Sequence, residues 1–143
     1  KKDVLTDILK LSEEQSLLLD DPNLEPDTFE KNVNRKAALI EKLEQLDTGF
    51  ESLYDKVKEE LESNRDIHKE QIRQMQELIR ALTELNMQIQ ATEARNKEKA
   101  TAKFAYIRQQ AKEIRSSQKI VKEYYNNMMH KAYNEPHFLD NKK

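Results

Sequence analysis

A chain of 143 residues with one Gly and three Pro has the length of one domain and almost none of the turn chemistry that sheets and hairpins need, so an all-α fold is expected. Charged and hydrophobic residues each make up 36% of it and interleave at helical spacing, which suits thin bundles and coiled coils and argues against a deep core. The net charge of -2 hides an imbalance: residues 1–64 carry 17 acids against 9 bases, and residues 65–143 carry 10 against 16.

Val4, Ile8, Leu11 and Leu18 recur at three- and four-residue spacing and predict a first amphipathic helix over residues 3–19. Pro22 and Pro26 end it, and Asp27 with Glu30 resembles a capping box that opens a second helix over 27–62. Its seam reads Phe29, Val33, Lys36 or Ala37, Ile40, Leu43, Asp47, Phe50, Tyr54, Val57 and Leu61. The phase is kept through Gly49, which costs about 1 kcal/mol relative to Ala inside a helix, so a kink there is the competing reading. A tight turn is expected over Ser63 to Asp66.

A third helix, very long, is expected over 66–132, because no Gly or Pro interrupts that stretch. Ile72, Met75, Ile79, Leu82, Asn86, Ile89, Glu93 and Asn96 keep heptad spacing, and Leu78 and Leu85 widen the stripe. Three of these seam positions are polar, which suggests register-setting contacts or a thinning of the bundle. After Ala100 a four-residue step to Phe104 introduces a stutter. The stripe then continues through Ile107, Ala111, Ile114, Gln118, Val121, Tyr125 and Met128. Residues 134–143, with Pro136, are expected to form a flexible tail. The whole reads as one domain over 1–133, an elongated antiparallel helical hairpin or three-helix bundle, coiled-coil-like, with a long C-terminal helix.

Folding helices two and three back on each other about Ser63–Asp66 places residues whose numbers sum to about 128 opposite one another. The first helix then covers only the middle of the hairpin. Residues beyond about Thr101 pass the start of helix two, and residues 104–128 would project about 35 Å, unless helix three breaks and folds back into a four-helix bundle. A lone helix of that length is marginal in water. Burying Phe104, Ile107, Ile114 and Val121 would contribute roughly 1.5 to 3 kcal/mol each. A second copy, an amphipathic client helix or an anionic membrane could supply the missing surface. Lys97, Lys99, Lys103, Arg108, Lys112, Arg115, Lys119 and Lys122 flank the stripe; dispersed bases on a helix are most simply a solvated face. Tyr124, Tyr125, Met128 and Met129 are either seam filler or an adaptable docking cluster.

The chemistry of catalysis is missing from the sequence. Without Cys, disulfides, thiolate metal sites and a Cys nucleophile are excluded and the cytoplasm is the default compartment. His68, His130 and His137 are the only imidazoles and none lies at i+4 to another, so no metal is expected. Glu13 with Glu14 and Glu59 with Glu60 point to different helix faces and read as solvated charge, and one Gly cannot build a phosphate loop. No enzyme activity and no cofactor are expected. No run approaches the ~18 apolar residues of a membrane span, and Leu17 to Leu19 is too brief for a signal-peptide core. The chain lacks an initiator Met, and a trimmed start is expected.

Three stretches, RKAALIEKLEQLDTGFESLY from Arg35, LTELNMQIQATEARNKE from Leu82 and IRSSQKIVKEYYNNM from Ile114, resemble the FlgN family of flagellar export chaperones, particularly its Gram-positive, clostridial-type members. The likeness covers about Leu9 to Met128, although the first helix is shorter and the Asp20–Pro26 linker more rigid than that family leads one to expect. It implies a cytoplasmic type III secretion chaperone of flagellum biogenesis with no catalytic residues. Such a chaperone binds the C-terminal helical region of hook-associated (hook-filament junction) proteins, prevents their premature assembly and delivers them to the export gate protein. The family's client-binding region matches Phe104, Ile107, Ala111, Ile114, Val121, Tyr125 and Met128, and Tyr124, Tyr125, Tyr133 and Phe138 are candidates for docking on the gate. The partners so implied are proteins, with neither nucleic acid nor stable membrane insertion, and self-association stays open. The alternative is a coiled-coil dimerisation protein with no client.

Overall fold

The computed structural model describes the backbone of residues 1–140 and the side chains of residues 1–130. The described chain is all-α, with helices α1 (Lys2–Asp20), α2 (Pro26–Ser63) and α3 (Lys69–Asp140). Where one domain over 1–133 is expected, the chain divides into two compact units, Lys1–Ala100 and Thr101–Lys143. The division falls at the stutter between Ala100 and Phe104.

The helix ends follow local chemistry. After α1, Asp21 Oδ1 accepts a hydrogen bond from the Asn23 backbone N–H at 2.8 Å, a side-chain turn suited to the Pro-flanked linker. The expected capping box at Asp27 is not formed. Glu25 is the N-cap without a side-chain cap, and Pro26 opens α2. Pro is pre-organised for that position: its fixed φ is helical and its absent N–H would have lacked an intrahelical partner anyway. α2 runs unbroken through Gly49, where an added Cβ would meet nothing within 4 Å.

The turn between α2 and α3 spans residues 64–68, later than expected, because the Asn64 carbonyl accepts from both Ile67 and His68 N–H at 3.2 Å. This extra tight turn delays regular helix to Lys69. At the other end α3 reaches Asp140, past the expected end at 132 and into the expected tail. Pro136 forgoes one ladder bond, and a helix already nucleated propagates at little cost per residue. Residues 141–143 lie outside the described residues.

In the first unit, α1 runs antiparallel to α2 and parallel to α3. Lys1 pairs with Asp47, Glu14 lies 3.8 Å from Arg35, and Lys99 Nζ donates to Ser16 Oγ at 2.9 Å and Asp20 Oδ2 at 2.7 Å. The α2–α3 register agrees with a sum near 128, since Lys36 faces Glu93. α1 does not cover the middle of the hairpin. Its linker is only five residues long, so it lies along the half remote from the turn, against α2 as far as Asp47.

The apolar core comprises Val4, Leu5 and Ile8 with Leu39, Leu43, Leu82, Leu85 and Ile89 packed against them, and Leu11 and Leu19 are also buried on α1. The seam of α2 follows the expected positions only in part. Lys36 is buried and Leu43 packs against the core as expected, and Asn32, outside the expected seam, is buried too, whereas Val33, Ile40, Phe50, Tyr54 and Val57 are all at least 37% exposed. On α3 the inward positions include Leu85 and Thr92, with Asn86 exposed. The third helix draws the interior towards α1, and polar residues can occupy it because α1 supplies their partners.

Candidate binding surfaces

Those partners form a polar layer. Lys36 Nζ donates to Gln15 Oε1 at 2.9 Å and to Glu93 Oε1 at 2.6 Å, and Ser12 Oγ lies 2.6 Å from the same Glu93 oxygen. Asn96 Nδ2 reaches the Ser12 carbonyl at 2.7 Å, and Asn32 Nδ2 reaches the Leu11 carbonyl at 3.0 Å. Partial burial pushes the Glu93 carboxyl up, but the Lys36 and Ser12 hydrogen bonds and the Lys36 charge outweigh it and hold it below the ordinary value. The oxygens Asn32 Oδ1 and Asn96 Oδ1 are buried and accept no hydrogen bond. These bonds tie α1 to both α2 and α3, and α2 to α3, at one level of the unit.

Two apolar surfaces remain accessible. The first is the stripe of the second unit. Phe104, Ile107, Ile114, Val121, Tyr125 and Met128 are between 43% and 61% exposed, and Ala111 is half-buried. Their three- and four-residue spacing puts them on one helix face about 36 Å long. Within this stretch Gln110 Nε2 donates to the Tyr106 hydroxyl at 2.6 Å, and Arg108 Nε to the Phe104 carbonyl at 3.3 Å.

Of the docking candidates, Tyr125 lies on the stripe and Tyr124 one residue round the helix, their rings edge to face with centroids 6.2 Å apart. Both are more than 60% exposed. The side chains of Tyr133 and Phe138 lie outside the described residues.

The second surface is a groove of about 610 Å³ in the first unit, lined by Leu46, Phe50, Met75, Leu78, Ile79 and Leu82, with Lys1 to Asp3 at one end. Seam reasoning missed it by assigning Phe50 and Ile79 to a closed α2–α3 contact; both are 54% exposed. The signal was available in the lengths: α1 has 19 residues and α2 has 38, so half of α2 lacks a third helix.

Among the described residues, no group of three or more His, Asp or Glu is placed to hold a metal ion, and no helix is long and apolar enough to cross a membrane. No family model matches the chain, and neither a curated protein nor a solved structure shows significant similarity to it.

Proposed function

We propose that this protein is a non-catalytic export chaperone of the flagellar type, holding the C-terminal helical region of hook-filament junction proteins on the stripe from Phe104 to Met128. The carrying observation is the stripe itself: large apolar side chains at heptad spacing, roughly half exposed along seven turns. A client helix presenting apolar residues at matching intervals would bury them, with Arg108, Lys112, Arg115, Lys119 and Lys122 favouring an acidic flank. Resemblance in the three stretches quoted above supports the same reading. On this proposal the protein works in the cytoplasm, and Tyr124 or Tyr125 contacts the export gate.

The test titrates C-terminal helical segments of hook-filament junction proteins into the full chain and into a chain ending at residue 103. Binding by the full chain, with none by the truncated one while α1 and α2 stay folded by circular dichroism, is the expected outcome. Retained affinity in the truncated chain overturns the assignment of the site. The heptad spacing also fits a coiled-coil dimer built stripe to stripe. A client-independent dimer lost with Ile114→Glu but kept with Phe50→Glu would favour that second reading.

A further inference from the structure

We propose that, before a client arrives, the stripe of one copy docks in the groove of a second copy, so that two chains cover each other reciprocally. The inference rests on reading the stripe as a helix-binding surface, and it adds what that surface binds when no client is present. The groove is a continuation of the crease that α1 already fills. Val4, Leu5 and Ile8 enter it against Leu39, Leu43, Leu82, Leu85 and Ile89, and beyond Lys1 the same crease runs on between Leu46 and Phe50 of α2 and Leu78 and Ile79 of α3. What it accepts from α1 is a helix with apolar residues three and four apart, and Ile107, Ile114, Val121 and Tyr125 present that pattern. From Met75 to Asn86 the lining of the crease spans about 17 Å, room for roughly three helical turns.

Charge selects the occupant. α2 from Glu44 to Glu62 carries seven acids and two bases, and α3 from Lys69 to Asn86 carries three of each. The stripe's helix, from Thr101 to His130, carries six bases and two acids. The groove's own charged lining is Lys1, Lys2 and Asp3, but the α2 stretch that forms its wall is net acidic and attracts a basic helix, whereas two stripes meeting face to face would oppose like charges. Reciprocal docking closes a two-fold pair that covers each groove and the part of each stripe seated in it, and a client displaces it by competing for the stripe.

The test uses the full chain. Sedimentation or light scattering at about 0.05 M salt is expected to show a concentration-dependent dimer that weakens several-fold at about 0.5 M. Phe50→Glu spoils the groove and Ile114→Glu the stripe; both residues are more than half exposed, so neither change touches the core. Each variant alone is expected to lose association by about tenfold or more, as burying a charge against an apolar face costs at least that much. An equimolar mixture is expected to regain association, because one intact groove and one intact stripe remain between the two variants. A monomer at every concentration, loss in one variant only, or no gain on mixing overturns the proposal. Client titration is scored separately: a monomer that still binds client removes the self-docking and leaves the proposed function standing, and mixing that succeeds without client binding does the reverse.

Discussion

The two units spend their apolar residues in opposite ways. In the first, five apolar side chains are buried, and six polar or charged ones, Ser12, Gln15, Asn32, Lys36, Thr92 and Asn96, are buried beside them. In the second, the large apolar side chains from Phe104 to Met129 are all at least 43% exposed. A chain selected only for monomer stability would bury the second set and solvate the first. The difference teaches that one unit buries polar groups among its helices while the other leaves its apolar stripe on the surface.

The sharpest way to break that contrast is to remove the second unit: a chain ending at residue 103 is expected to lose client binding below detection while its circular dichroism reports folded helices. Next in size, Leu5→Ala empties a site only 1% exposed and should cost about 2 to 5 kcal/mol in denaturant unfolding, whereas Ile114→Ala should change stability by less than about 0.5 kcal/mol. Lys36→Met removes the donor shared by Gln15 and Glu93. Because Glu93 keeps 39% exposure, the loss should be only about 1 to 2 kcal/mol, read from the same unfolding curves.

Gly49→Ala should raise stability by about 1 kcal/mol, since the helix continues there and the added methyl meets open space; destabilisation would contradict the unbroken α2. The smallest effect is on pH dependence. The folded Glu93 carboxyl sits below its unfolded value, so its contribution is complete above pH 4.5 and declines as pH falls through the lowered folded value. Glu93→Gln should flatten that acid limb in thermal melts taken from neutral to about pH 3.

How far the sequence anticipated this fold depended on what kind of residue carried the signal. Pro22, Pro26 and the Gly- and Pro-free stretch after Asp66 placed every helix end but the last to within about three residues, because breaking a helix is a local backbone property, whereas α3 runs through Pro136 to Asp140, past the expected 132. The hairpin register was also legible, as the opposition of Lys36 and Glu93 shows. The seam of α2 was legible only in part: Lys36 and Leu43 lie inward where the spacing put them, but apolarity points to Val33 and Ile40, and only the tertiary placement of α1 makes Asn32 interior. The stripe of the second unit could be read from periodicity alone, whereas the groove required knowing where a 19-residue α1 stops.

The polar layer has a kinetic consequence. Sliding α1 by one helical turn would move Gln15 about 5.4 Å from Lys36 and Asn96 and put Leu11 or Leu19 in its place, so the shifted register leaves both donors without that acceptor. α1 therefore behaves as a latch with one closed position. Its backbone amides should exchange with deuterium through a single shared opening event, with similar protection at Ile8 and Leu19, and without the graded fraying of a helix held by apolar contacts alone.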